Sequence, residues 1–174
     1  GDVGGGFGMK TGCYPEDVAV AFAAWTLKRP VKWQAERLDD FLGAVHGRDL
    51  TSKAEMALDA NGKVLALRVR SWANVGAYPG VAGVAIQVLI GPWVTTSIYD
   101  IRTIDLQITA MLTNTTPTGP YRGAGRPEAI YTTERLFDAA ARKMGLDPAE
   151  LRRSNMIRPE QFPYTNAMGQ VYDV

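Results

Sequence analysis

The chain of 174 residues holds one cysteine, Cys13, and one histidine, His46. A single thiol excludes an intramolecular disulfide, a metal site built from several thiolates and the cysteine sets that carry iron–sulfur clusters. His46 lies in a polar connection with no second ligand nearby and reads as a surface or turn residue. Charge of one sign is wanting as well. Nineteen basic residues face eighteen acidic ones and are scattered along the chain, whereas a nucleic-acid interface needs a basic stripe to neutralise phosphates. The longest apolar run, Val81 to Ile90, is interrupted by Gly83 and Gln87 and falls well short of the roughly 20 residues of a membrane helix. No membrane span is expected, and a soluble, cytoplasmic protein is. The start, Gly1-Asp2-Val3-Gly4-Gly5-Gly6, has neither an initiator Met nor the basic-then-apolar pattern of a signal peptide. Together with an end at Val174 that carries no stopping signal, this suggests a piece of a longer chain.

What is present is enough for a core: 46% of the residues are apolar, which suffices for one ordinary domain without staples. Pro15, Glu16 and Asp17 open a helix that Lys28, Arg29 and Pro30 close, and the nearly continuous apolar stretch between them predicts a helix buried on most sides. Val31 to Ala35 suits a short strand. Two alternating stretches, 51–58 and 65–69, flank Asp59-Ala60-Asn61-Gly62 and predict a β-hairpin. The glycine-rich segment 73–92 fits a buried irregular connection, and Ile104 to Leu112 alternates as a strand with one buried face. Pro127 opens a helix that Gly145 ends, with Asp138 and Arg142 spaced for pairing, and Asp147-Pro148-Ala149-Glu150 caps a further short helix. The expected fold class is α+β, an antiparallel β meander with flanking helices.

Two glycine loops could carry chemistry: Gly4-Gly5-Gly6-Phe7-Gly8-Met9-Lys10 and Pro120-Tyr121-Arg122-Gly123-Ala124-Gly125-Arg126-Pro127. Each precedes a helix, where free N–H groups and the helix dipole favour an anion, and Arg122 and Arg126 add charge-assisted donors. The first loop is neither a phosphate-binding P-loop nor a dinucleotide fingerprint, because Met9 interrupts both patterns. Composition alone leaves two readings open, tight turns with solvated arginines or a ligand cradle.

Taken together, the two loops, about 115 residues apart, resemble the Gly-Gly-Gly-Phe-Gly-Gly-Lys and Tyr/Phe-Arg-Gly-x-Gly segments of the large, molybdopterin-binding subunit of the molybdenum hydroxylases, the xanthine dehydrogenase, aldehyde oxidase and carbon monoxide dehydrogenase family. The similarity extends to Arg29-Pro30-Val31-Lys32-Trp33, Glu36-Arg37 and Asn155-Met156-Ile157. It implies that residues 1–174 are a partial molybdopterin-binding domain. It further implies that Gly5, Gly6, Phe7 and Gly8 contact a molybdenum–molybdopterin cofactor, of which a cytosine dinucleotide form is one variant, and that Arg122, Gly123 and Ala124 approach it from the other side. In this family a Glu serves as general base, and the resemblance places it in a later glycine-rich segment, so no catalytic residue is expected here; a glutamine motif is expected upstream.

The implied activity is oxidation of an aldehyde or N-heterocycle with water-derived oxygen. Electrons would pass to iron–sulfur and FAD groups on partner chains or domains, and the implied partners are those subunits, the rest of the molybdopterin subunit and a small-molecule substrate. Ala124 stands where purine-oxidising members carry a Phe, and their Glu-Arg purine readers fall at Leu89 and Ile90. Carbon monoxide dehydrogenases have Arg-Cys-Ser-Phe-Arg, whose Cys holds copper, where this chain has Arg122-Gly123-Ala124-Gly125-Arg126. The rival expectation is a free-standing phosphate-binding or accessory structural domain without catalysis.

Overall fold

The computed structural model describes residues 4–173; the two chain ends on which the expectation of a longer chain rests lie outside them. A three-stranded sheet forms the centre, made of β1 (Leu50–Leu58), β2 (Val64–Gly76) and β3 (Ile104–Leu112) in the order β1-β2-β3. The hairpin turn is built by Asp59, whose Oδ1 accepts from the N–H groups of Asn61 and Lys63 at 2.9 Å, while Gly62 takes a φ of 85°. At the register shift at Ala57/Leu58 Val64 lies inside and Leu65 is exposed, so the alternation expected from Leu65 begins at Leu67.

The α+β class holds, but the sheet is mixed and not a meander. β1 and β2 are antiparallel, whereas β3 runs parallel to β2, with Leu67 opposite Ile104 and Ala73 opposite Ala110. A parallel neighbour requires a crossover. The glycine-rich segment supplies it as helix rather than irregular chain, with α3 (Val81–Ala85), a π-helical stretch (Ile86–Ile90) and α4 (Gly91–Trp93) running on from one another.

Helix α5 (Arg126–Met144) and helix α6 (Pro148–Asn155) cover the sheet. Gly145, at φ 68°, ends α5, and the Asp147 carboxylate caps α6 by accepting from Ala149 and Glu150. The core is Val64, Leu67, Tyr99, Ile101, Phe137, Ala141 and Leu151, with the Tyr99 and Phe137 rings 4.2 Å apart. Asp138 does not bond the expected Arg142; Arg152 reaches it from α6 at 2.8 Å and bonds Glu134 at 2.6 Å, fastening the two helices. Asn155, fully buried, donates to the carbonyls of Gly62 and Leu151 and accepts from Val64 N–H. It therefore locks the hairpin turn to α6. A short hairpin of β4 (Tyr164–Thr165) and β5 (Val171–Tyr172) closes the described chain.

The N-terminal side is different. Helix α1 (Pro15–Leu27) has the expected limits, with Asp17 accepting from Tyr14 N–H, and α2 (Arg37–Gly43) follows it. Neither has a buried residue. The expectation that α1 is buried on most sides is overturned: Phe22 is 69% exposed and Trp25 74%, because no element within the described residues packs over it. The strand expected at Val31 to Ala35 does not form either. A strand persists by pairing, and this segment finds no partner strand among the described residues.

Candidate functional site

The direction of β3 decides where the second loop emerges. Because β3 is parallel to β2, Gly76 at the end of β2, Leu112 at the end of β3 and Leu50 at the start of β1 all lie at one end of the sheet. Had β3 been antiparallel, the chain beyond it would leave beside the Asp59–Gly62 turn, about 30 Å away along nine residues of strand. Asn74 ties this end together. Its Nδ2 donates to Asp49 Oδ2 at 2.7 Å and to Thr115 Oγ1 at 2.8 Å, and its Oδ1 accepts from Thr113 Oγ1 at 2.7 Å.

From there residues 117–119 run beside residues 44–48. His46 N–H donates to Pro117 O at 3.1 Å, and Gly119 N–H donates to His46 O at 2.8 Å. His46 is exposed, as expected of a turn residue, and its backbone does the joining.

The second loop then makes a tight left-handed turn. Gly123, Ala124 and Gly125 have φ of 95°, 46° and 88°, with Ala124 N–H donating to Tyr121 O at 2.7 Å and Arg126 N–H to Gly123 O at 3.1 Å. Positive φ at a residue with a side chain, such as Ala124, is uncommon and persists where the surroundings impose it. Gly125 is required here: a methyl at its Cα would sit 2.7 Å from the Ile86 carbonyl oxygen. That contact seats the loop on the π-helical stretch, which bears Leu89 and Ile90. The Arg122 side chain is exposed and makes no hydrogen bond or ion pair among the described residues.

The first loop has the same backbone character. Gly4, Gly5, Phe7 and Gly8 have φ of 65°, 94°, 51° and 95°. Gly8 packs against the second loop, since a Cβ there would lie 2.9 Å from Pro120 O. Gly5 faces the Phe7 ring and Gly6 the Lys10 side chain, while Phe7 itself is 56% exposed. The structure thus joins the two loops through Gly8 and Pro120. Tyr14 braces the first loop: its hydroxyl donates to Met9 O at 2.7 Å and accepts from Val45 N–H at 3.3 Å.

Two clefts border the loops. One, of about 660 Å³, lies between β1 and α5 and is lined by Arg48, Ser52, Glu128 and Arg135; another, of about 760 Å³, lies beside the first loop and is lined by Lys10, Tyr14, Trp33 and Asp39. Arg122 is exposed and Gly8 half-buried. Sequence reasoning missed the 44–48 segment, Asn74 and Glu128. The first works through its backbone, Asn74 bonds residues up to 41 positions away, and the Glu128 carboxylate is hidden only once α5 docks.

Residues 1–156 match the family model for the molybdopterin cofactor-binding domain. The chain belongs to that family. Among relatives of this molybdopterin-binding domain, the carbon monoxide dehydrogenase large chain of Hydrogenophaga pseudoflava is 39% identical over 99% of the chain. The gamma subunit of the 6-hydroxypseudooxynicotine dehydrogenase complex of Paenarthrobacter nicotinovorans is 36% identical over the same share. The quinoline 2-oxidoreductase structure from Pseudomonas putida 86 superposes with a TM-score of 0.91 at 38% identity over 99% of the chain. In each case the chain spans 22% of the relative's own length. No helix among the described residues is long and apolar enough to cross a membrane.

Proposed function

We propose that this domain is one section of the molybdopterin subunit of a molybdenum hydroxylase, and that Gly5 to Gly8 and Arg122 to Ala124 form two walls of its cofactor cleft. The observation that carries the proposal is the junction of Gly8 with Pro120, which sets two left-handed glycine turns beside an unengaged guanidinium. The fit with a pterin cofactor rests on donor chemistry. Among the described residues no three His, Cys, Asp or Glu side chains gather to ligate an ion, so the donors on offer are backbone N–H groups and Arg122. Such donors suit the oxygen-rich surface of a phosphorylated pterin that brings its own metal ligands.

When bound, the cofactor supplies a two-electron oxidation that inserts water-derived oxygen. This chain's residues would bind and orient: Gly6 and Gly8 let the backbone approach without Cβ atoms, Phe7 offers an aromatic face, and Arg122 offers charge. The general base would come from elsewhere in the subunit. Electrons would leave to iron–sulfur and FAD partners, in a cytoplasmic complex. Val18, Phe22, Trp25, Leu38 and Phe41, all exposed, would face the rest of the subunit.

We infer an aldehyde or N-heterocycle as substrate. Leu89, half-exposed, and Ile90 offer no polar groups to read a purine and Ala124 offers no ring to stack on one, and a relative is named for quinoline, an N-heterocycle. The loop lacks the cysteine that copper would need in carbon monoxide oxidation.

The test is to express the natural gene in a host that makes molybdopterin and to measure molybdenum by mass spectrometry. About one metal per wild-type chain, reduced about tenfold in Arg122→Ala, is expected. A folded wild-type protein without molybdenum overturns the proposal and leaves a phosphate-binding or accessory domain. The mass of the released pterin distinguishes the cytosine dinucleotide form from the shorter one.

A further inference from the structure

Arg48 lies outside every helix and strand and outside both glycine loops, yet its guanidinium reaches four residues of the second loop and its helix. Nη2 donates to the carbonyl oxygen of Arg122. The guanidinium carbon stands 4.6 Å from the Tyr121 ring centre. Nε lies 3.8 Å from Glu128 Oε2, a buried oxygen that receives no hydrogen bond among the described residues. A methyl at Gly123 would come within 3.4 Å of Nη2.

The backbone that carries Arg48 is held on both sides. His46 pairs with residues 117–119, and Asp49 O accepts from Asn74 N–H at 3.0 Å. Arg48 itself has a φ of 63°, which costs energy for a residue with a side chain and is retained where contacts impose it. At 3.8 Å and a third exposed, the contact with Glu128 contributes little as an ion pair. What Arg adds is shape: one planar fork donates to a carbonyl, faces a carboxylate and stacks on a ring at once.

The hydrogen bond to Arg122 O has a directional consequence. In a trans peptide the C=O and the following N–H point to opposite sides. With the Arg122 carbonyl held toward Arg48, the Gly123 N–H must point away from it, and that N–H makes no hydrogen bond among the described residues. We infer that Arg48 is a positioning residue for the candidate cofactor loop: by holding the Arg122–Gly123 peptide it presents the Gly123 N–H, with the Arg122 side chain, to an oxygen-bearing ligand. The inference deepens the function proposed above and rests on it for the identity of that ligand.

The test uses the full-length protein with its cofactor, as wild type, Arg48→Met and Arg48→Lys. In Arg48→Met, molybdenum retained after gel filtration is expected to fall about tenfold, the scale of losing a group that orients a ligand. Amide exchange at Ala124 and Arg126, whose N–H groups are hydrogen-bonded within the loop, should accelerate about tenfold while Leu67 and Phe137 stay as in wild type. Arg48→Lys keeps a donor for the Arg122 carbonyl and should restore most of both.

Wild-type exchange and wild-type molybdenum in Arg48→Met overturn the inference. So does acceleration spread equally to Leu67 and Phe137, which would make Arg48 a general stabiliser. Should Arg48→Met not fold, Arg48→Ala, which also lacks a donor, carries the same comparison. If wild type holds no molybdenum, the cofactor proposal fails, and exchange in the metal-free protein still decides whether Arg48 fixes the loop. If Arg122→Ala loses metal and Arg48→Met behaves as wild type, only the role of Arg48 falls.

Discussion

Helices α5 and α1 are both rich in apolar residues, and they meet opposite fates. In α5 the apolar positions recur on one face, and Phe137 and Ala141 on it are fully buried against the sheet. In α1 they run all round, and none is buried. Apolar content makes a helix need cover; periodicity says which face, and only the presence of a partner surface says whether it is found. Within the described residues the lobe of sheet, α5 and α6 holds the core cluster, while α1 and α2 hold their shape through local caps and the Tyr14 hydroxyl.

The comparison can be broken most forcefully at Phe137. Phe137→Ala is expected to cost about 3–5 kcal/mol, since it empties the centre of the core; chemical denaturation measures it, and a loss near zero would mean that the lobe is not the seat of stability.

A smaller effect should follow pH. The Arg152 guanidinium holds the Asp138 carboxyl below the usual range. At Asp100 burial works the other way, but hydrogen bonds from Gln161, Tyr164 and Arg102 outweigh it and the pKa is again lowered. A folded pKa below the unfolded one means that the folded state binds fewer protons. That stability is complete above about pH 4 and lost as pH falls through the folded values. Burial, with the hydrogen bond to Asp100, pushes the Tyr164 phenol up to about 12. The folded state then keeps its proton longer, and this contribution is present below about pH 10 and lost as pH rises toward 12. Melting temperatures across pH should fall at both ends, and Asp138→Asn should flatten the acid limb.

The smallest effect is expected at Phe22. In this chain alone Phe22→Ser should change stability by less than about 0.5 kcal/mol. A loss comparable to that of Phe137→Ala would show that α1 is covered after all.

Much of the fold was legible locally. The limits of α1 and α5 follow from Pro15, Pro127 and Gly145, the hairpin from Asp59 to Gly62, and β3 from its alternation, although its expected buried face is only half-buried at Ile104, Leu106 and Ile108 and is exposed at Ala110 and Leu112. The direction of β3 was not legible, because a period of two tells which face a residue takes and nothing about which way the strand runs. Helix α2 is seven residues long and too short to show a period. The two loops were visible as glycine turns, and resemblance suggested that they belong together. Their meeting at Gly8 and Pro120 depends on the parallel strand, which no local pattern encodes. The role of Arg48 was hidden for a related reason: its partners lie more than 70 residues away.

The parallel pairing of β2 with β3 also bears on time. The β1–β2 hairpin joins its strands through a short turn, whereas β3 pairs with β2 only when the long connection between them closes. Loop-closure entropy makes such distant pairings slow to form. The surface where Gly8, Arg48 and Arg122 assemble therefore waits on the same long-range pairing as the core, whose Tyr99, Ile101 and Phe137 also lie beyond the hairpin. A cofactor that needs that surface would have to be delivered to a chain already folded, not to one still emerging.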